Sequence, residues 1–409
     1  MLFLYNIVIQ ITGPLLKFIS LFNPKIKLFV NGRENVFQIL EEQIKPQDKS
    51  FWFHAASLGE YEQGLPIIER IKNEYPLHKI IITFFSPSGY EVRKNNTIAD
   101  VTVYLPLDTK KNAKRFLEIV RPEKAFFIKY EYWLNYLREL KKQKTSTYLI
   151  SGIFRENQMF FKWYGGFYRK ALDSFTYFFV QNEKSKLLLQ QLGKTNVGIS
   201  GDTRFDRVVA ILEKDNTLQF ISEFKNDTLT IVVGSSWPKD ETLLLDFINN
   251  NSLNVKFIIA PHNIKKEQIE ELKNKISKKV VLFTEMEGKN LSDYDVFIID
   301  TIGILTKIYS YADIAYVGGG FGKSGVHNLL EPATFGVPIV IGPNYSRFAE
   351  AIALVNIGGC VSVSKTSELN TIFKNLILDE AFRSEQGHIC STFVLMNKGA
   401  TNSIMNNIF

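Results

Sequence analysis

Glu60 stands at the end of the apolar run SFWFHAAS, on the small-residue turn Ser57-Leu58-Gly59. A carboxylate in that position can accept a proton from an attacking hydroxyl; its other role is to complement the dipole of the helix it opens. The second half of the chain offers a different set of groups: Gly234-Ser235-Ser236, Pro261-His262, Asp300-Thr301-Ile302-Gly303 and the stretch YVGGGFGKSGVHNLLEPATFGVPIVIG from Tyr316 to Gly342. Gly, Ser, Thr and His in these loops suit a nucleotide with at least one phosphate. The triple glycine either aims uncovered N–H groups at that anion or serves only the φ angles of a turn. His262 is either a structural imidazole or a ligand contact, and His327 either caps a helix or touches a phosphate oxygen. No His, Cys, Asp or Glu spacing matches a metal site, and no G-x-S-x-G elbow supports a Ser-His-Asp hydrolase.

These residues need elements to hold them. From Ser50 onward, strand-like runs (SFWFHAAS, HKIIITFFS, DVTVYLPLD, EKAFFIKY, TSTYLISG, DSFTYFFVQN, VGISGDTRF) alternate with helix-like ones such as GLPIIERIK and EYWLNYLRELKKQ. A second series begins at LTIVVGSSW and continues through VKFIIAPH, KVVLFTEM, DVFIID, IAYVGGG and VPIVIG. Such alternation predicts an α/β fold of two parallel sheets, each covered by helices on both faces. In such sheets ligands bind beyond the carboxyl ends of the strands, which is where the candidate residues fall. The triple glycine is expected to lead into a helix that opens on His327 and Asn328 and carries Glu331. The expected domains are 1–22, an apolar helix; 23–206, the first sheet; 207–227, a linker; and 228–409, the second sheet with C-terminal helices. A cleft is expected between the two sheets.

With 409 residues, 45% apolar and 13% aromatic, the chain can build two cores and is not disordered. Its net charge of +7 points to an anionic partner. Two cysteines, Cys360 and Cys390, exclude a disulfide framework and fit a reducing compartment. The first 22 residues, MLFLYNIVIQITGPLLKFISLF, come close to the ~20 needed to cross a bilayer, with Gly13-Pro14 as a kink. They lack the basic start and small-residue cleavage site of a signal peptide. The basic residues Lys17, Lys25, Lys27 and Arg33 follow, so a spanning helix leaves the body of the protein in the cytoplasm; the alternative is an amphipathic helix docked on the first domain.

Six segments occur in an order that resembles one family: FHAASLGE, YEYWLN, SGDTRFD, GSSWPKDE, DTIGIL and GGGFGKSGVHNLLEPATFGVPIVIGP. Together they are similar to the 3-deoxy-D-manno-octulosonic acid (Kdo) transferases of Gram-negative bacteria, over most of the chain. The resemblance implies the GT-B architecture, two Rossmann-like domains facing across a cleft, the acceptor held mainly by the first and the nucleotide by the second. It implies transfer of Kdo from CMP-Kdo to a lipid A precursor at the cytoplasmic face of the inner membrane, on an anionic membrane surface, with no essential metal or cofactor and no nucleic-acid partner. The family's general base matches Glu60, its cleft carboxylate matches Glu131, and Arg204 stands where the family has a lysine that steadies the transition state. The CMP positions fall on Pro261, His262, Ile302, Gly303, Ile304, Asn328, Leu329, Leu330 and Glu331. A carboxylate at Glu331 repels phosphate and is expected to face the ribose hydroxyls.

The chain departs from the family pattern in places. Lys129 replaces the first Glu of E-x-E-x-W-P-N and Leu134 its Pro. Pro261 stands where many members have Arg, Ile304 replaces a Glu, and SGIFREN keeps little of the usual N-A-R-L-S. Two other functions fit the same architecture. One is a 2-epimerase acting on a UDP-linked amino sugar, which would prefer UDP to CMP; the other is a non-catalytic protein that binds an anionic ligand at a membrane.

Overall fold

The run SFWFHA forms a strand buried on both faces, and its alternation divides its side chains between two cores. Trp52 points into a cluster with Phe116, Phe127 and Tyr136, while Phe51 and Phe53 enter another with Phe126 and Ile68. Burial on both faces is what a central parallel strand requires. In this computed structural model, which describes residues 2–409, the strand is β1 (Ser50–Ala55). It joins β2 (Lys79–Phe84), β3 (Val101–Tyr104), β4 (Pro122–Ile128), β5 (Ser146–Gly152), β6 (Tyr177–Val180) and β7 (Val197–Ile199) in one parallel sheet, ordered β3-β2-β1-β4-β5-β6-β7.

A second seven-stranded parallel sheet contains β8 (Thr230–Ser236), β9 (Lys256–Pro261), β10 (Val280–Leu282), β11 (Val296–Ile298), β12 (Ile314–Val317), β13 (Ile339–Ile341) and β14 (Cys360–Ser362). Its order is β10-β11-β9-β8-β12-β13-β14. Both sheets therefore reverse their winding once, between β1 and β4 in the first and between β8 and β12 in the second. Strand β14 was not anticipated: it is three residues long and follows Gly358-Gly359, too short to show a period.

The chain divides into two compact units, residues 1–207 with 398–409, and residues 208–397. Two expectations change. The C-terminal helix Ala400–Ile408 belongs to the first unit, because Ile404 and Met405 are buried in the cluster around Phe53 and Phe126. Asp206 caps that helix, its carboxylate accepting from the N–H of Thr401 at 2.6 Å and from Thr401 Oγ1 at 2.8 Å. Residues 208–227 are no free linker but part of the second unit. The helix Gln219–Lys225 buries Ile221 and Phe224, with Phe224 edge-on to Phe297, and Lys225 Nζ donates to Asp313 at 2.6 Å.

The N-terminal helix Leu2–Ser20 is long and apolar enough to cross a membrane. One side of it rests on the first unit: the Tyr5 hydroxyl donates to Asp108 at 2.6 Å, and Asn135 Nδ2 donates to Asn6 Oδ1 at 2.9 Å. The side chains Leu4, Val8, Ile11, Leu15, Phe18 and Phe22, spaced three or four residues apart, are all exposed and form a continuous apolar stripe along the helix and just past its end.

Candidate active site

At the winding reversal of the first sheet, the loops after β1 and β4 lie side by side, since Ala55 and Ile128 end paired neighbours. Glu60 sits in the first turn of the helix Leu58–Glu74, and the Ser57 hydroxyl donates to its carboxylate. Ser57 is the N-cap residue, yet its side chain holds Glu60 rather than a helix N–H. After β4, Tyr130 feels four charges: Arg155 and Arg204 favour the phenolate, while Glu60 and Asp202 disfavour it. Burial exceeds all four, and the Tyr130 phenol is pushed above its usual range. The cations Lys129 and Arg155 lie over the Tyr130 ring at 5.2 and 5.6 Å. Lys129 takes φ +67, a left-handed backbone rare for a side-chain-bearing residue, and this turns the chain sharply at the end of β4.

Arg204 is held by Asp202, whose Oδ2 accepts from Arg204 Nε at 2.9 Å and from its terminal nitrogen at 2.7 Å. Asp202 Oδ1 accepts from the Arg204 N–H at 3.0 Å. The aspartate of SGDTRFD thus aims the guanidinium rather than facing a ligand itself. Glu131, expected as a carboxylate of the cleft, is held by its own neighbours. It is 8% exposed, and His54 Nε2 and Trp133 Nε1 reach its Oε2 at 2.9 and 2.6 Å. His54 is fully buried, and its Nδ1 lies 2.9 Å from Thr83 Oγ1, which accepts from Trp52 Nε1 at 2.8 Å. An Nε2–H tautomer of His54 satisfies every group along this chain. The network locks the end of β4 to β1 and β2, so Glu131 positions the neighbouring Tyr130 segment. His54 escaped notice because a histidine inside an apolar strand carries no motif of its own.

In the second unit the corresponding reversal brings together the loops after β8 and β12. The glycines are explained here by packing. A side chain on Gly318 would meet Ser235 O at 2.4 Å, and one on Gly320 would meet the Gly342 backbone at 2.6 Å. The Gly318 N–H donates to Gly234 O at 2.9 Å, and the Gly319 N–H to Asp240 Oδ2 at 2.9 Å. These two N–H groups therefore bind the loop to its own sheet, contrary to the expected phosphate cradle. Asp240 is fully buried and also accepts from the Trp237 N–H and the Tyr316 hydroxyl, at 2.9 and 3.0 Å.

The helix after the glycines is shorter than expected. It runs Leu330–Thr334, so His327 and Asn328 lie in the loop before it. His327 Nε2 accepts from Trp237 Nε1 at 2.9 Å, and its ring stacks on His262 with centroids 4.5 Å apart. His262 also stacks on Trp237 at 4.5 Å. Loss of water around these rings holds both imidazoles below their usual range, the neighbouring His262 adding to the effect on His327.

Glu331 bridges two loops: Thr306 Oγ1 donates to one carboxylate oxygen and Asn328 Nδ2 to the other, each at 2.9 Å. Ile302 is 78% exposed and Gly303 has φ +94, in the loop between β11 and β12 that leads through Ile304 to Thr306. Leu329 and Leu330 are fully buried, and the Leu330 N–H donates to Asn328 Oδ1 at 3.1 Å. Pro261 closes β9, and the His262 N–H donates to Ser236 O at 2.8 Å. Of the predicted nucleotide residues, Asn328 and Glu331 are bonded together with Thr306, and His262 stacks with His327 and Trp237. Among the described residues, no three His, Cys, Asp or Glu side chains converge as metal ligands would.

A sequence profile described as 3-Deoxy-D-manno-octulosonic-acid transferase (kdotransferase) matches residues 32–207. Over 365 residues the chain is 30% identical to a 3-deoxy-D-manno-octulosonic acid transferase of Chlamydophila psittaci, which covers 85% of this chain and 83% of that protein. Among solved structures, the UDP-GlcNAc 2-epimerase of Neisseria meningitidis bound to UDP-GlcNAc is 15% identical with a TM-score of 0.62, covering 88% of this chain and 98% of that one. MurG of Acinetobacter baumannii is 13% identical with a TM-score of 0.55, covering 88% and 99%. At such identities the two structures speak for the fold alone, two Rossmann-like sheets of the GT-B kind.

Proposed function

This chain belongs to the 3-deoxy-D-manno-octulosonic acid transferase family and is a glycosyltransferase, and from that premise we propose that it transfers Kdo from CMP-Kdo to a lipid A precursor of the lipid IVA type. The observation that carries the reading is the seating of the Asp202–Arg204 segment on the helix that carries Glu60, where Gln63 Nε2 donates to Asp202 Oδ1 at 3.3 Å and Thr203 Oγ1 donates to Gln63 O. An acceptor sugar hydroxyl placed there loses its proton to Glu60 as its oxygen attacks the anomeric carbon of Kdo, opposite the departing CMP, and configuration inverts. Arg204, aimed by Asp202, supplies fixed positive charge to the transition state. An arginine in place of the family's lysine keeps the charge and adds a planar fork of donors.

The second unit holds the nucleotide. Asn328 and Glu331 take the ribose hydroxyls, since a carboxylate with two donors already on it still has lone pairs for a hydroxyl proton and repels a phosphate. The Pro261-His262 and Ile302-Gly303-Ile304 backbones take the rest of the CMP, while the buried Leu329 and Leu330 fix the segment that presents Asn328 and Glu331. The helix Leu2–Ser20 lies along the cytoplasmic face of the inner membrane. Its apolar stripe faces lipid, while the bonds of Tyr5 and Asn6 to Asp108 and Asn135 keep its other side on the protein. The test is mass spectrometry of a tetra-acylated lipid A precursor after incubation with the enzyme and freshly made CMP-Kdo. Mass increments of one Kdo or its multiples are expected; an unmodified acceptor, with UDP rather than CMP stabilising the protein, would replace the transferase by an epimerase.

A further inference from the structure

A cavity of about 930 Å³ opens in the first unit, between the start of the N-terminal helix and the helices Leu134–Lys142 and Gly166–Leu172. Its size is in the range of ligand sites. Its walls are of two kinds. Leu2, Leu134, Phe167 and Ala171 line it with apolar surface, and Arg138, Lys141, Lys142 and Lys170 line it with positive charge. Lys142 pairs with Glu139 at 3.5 Å, but Arg138, Lys141 and Lys170 pair with no carboxylate among the described residues. The acid of the cavity, Asp173, is engaged by Lys194. Ser174 adds an independent sign of a missing ligand: it is 7% exposed, lines the cavity, and its buried hydroxyl has no hydrogen-bond partner. A buried hydroxyl without a partner destabilises the fold, and a ligand oxygen would relieve it.

We propose that this cavity binds the phosphate headgroup of an anionic bilayer phospholipid, with the cations and Ser174 on the phosphate and the apolar wall along the first part of an acyl chain. The proposal rests on the reading that the N-terminal helix lies on the membrane, because Leu2 of that helix forms part of the wall. Charge complementarity selects an anionic group, and the apolar wall selects a lipid over a free ion. Position selects a bilayer lipid over the acceptor: Lys141 lies two helical turns beyond Leu134, roughly 10 Å along the helix from the strand ends where Glu131 sits. Headgroup binding there would fix the orientation of the enzyme on the membrane, beyond what a greasy helix alone provides.

The test is calorimetric titration of the full-length protein with dihexanoyl-phosphatidylglycerol below its micelle concentration, with dihexanoyl-phosphatidylcholine and inorganic phosphate as the other arms. Saturable binding of the glycerol lipid is expected, weakened roughly tenfold or more by Arg138→Glu or Lys170→Glu as a charge-assisted contact is lost, and less by Ser174→Ala. Both charge reversals are at exposed positions, so unchanged thermal unfolding is expected of them. Equal binding of the choline lipid, equal binding of phosphate alone, or unchanged affinity in both reversals overturns the proposal. So does a Lys170→Glu enzyme whose KM for the acceptor rises while its affinity for the glycerol lipid stays the same. Vesicle flotation separates the two readings. Flotation unchanged in Leu15→Asp with short-chain binding intact refutes the membrane-lying helix and leaves the headgroup site standing; flotation lost in Leu15→Asp with no short-chain binding by the unsubstituted protein refutes the headgroup site and leaves the helix reading standing.

Discussion

In the first unit Glu60 follows β1 and the Asp202–Arg204 pair follows the edge strand β7, all within electrostatic reach of the Tyr130 phenol, whereas the second unit carries glycine, serine, tryptophan and stacked imidazoles on the loops after β8, β9 and β12. The carboxylates of the second unit, Asp240 and Glu331, are occupied in holding loops together. The same topology has been fitted with charge in one unit and with shape in the other. A group-transfer reaction calls for this division: proton removal and charge stabilisation need ionisable groups, while a nucleotide needs a close-fitting, neutral surface.

If the division is right, substitutions in the first unit should lower turnover and those in the second should weaken CMP binding or loosen the loop that binds it. After Glu60, the largest effect is expected at Arg204. Arg204→Ala should lower kcat by about 10²–10³, as removal of a transition-state donor does, with Arg204→Lys retaining much of the rate and both binding CMP normally by calorimetry. Next is Asp240→Ala, which strands two backbone N–H groups and the Tyr316 hydroxyl inside the second unit. Urea unfolding should show a loss of about 3 kcal/mol, together with weaker CMP binding. A destabilised protein with unaltered CMP affinity would detach the glycine loop from the nucleotide site.

Smaller is the effect of Glu331→Gln, which keeps the shape and removes the charge. CMP affinity should fall roughly tenfold, the worth of one charged hydrogen bond, measured by calorimetry with the acceptor absent. A gain in affinity would mean that Glu331 faces phosphate. The smallest effect concerns the docking of the N-terminal helix. Burial raises the carboxyl of Asp108 from its usual 3.8 to about 6. Because the folded pKa is the higher one, this group's contribution to stability is full below pH 3.8 and is lost as pH rises through about 6. A carbon-13 titration should show a carboxyl step near pH 6 that Asp108→Asn abolishes; a step near pH 4 would place Asp108 in contact with water.

Much of this fold was legible in order and little of it in detail. Apolar runs of four to seven residues between turn signals mark most strands, because a parallel strand buried on both faces leaves no other pattern. Strand β14 was illegible for its length. The return of Ala400–Ile408 to the first unit depends on where Ile404 and Met405 find a core, which no local pattern encodes. The site shows the same limit. The place of Glu60 in the first turn of its helix was legible because that turn and helix are contiguous in sequence. The acids of other motifs proved to be fasteners: Asp202 for Arg204, Asp206 for the C-terminal helix, Asp240 for the glycine loop. Their partners are distant in sequence or point inward, so a motif reveals the acid and conceals its task. The glycines misled in the opposite sense, as Gly318 and Gly320 are required by neighbouring backbone and their loop is tied to the sheet.

The central claim, that chemistry belongs to the first unit and nucleotide binding to the second, is tested most directly in Glu60→Gln. Its turnover with CMP-Kdo and acceptor and its CMP affinity should be measured on one preparation. The account predicts a fall in kcat of about 10²–10⁴, the contribution of a general base, with CMP affinity unchanged; near-normal turnover, or a matching loss of CMP affinity, would contradict it.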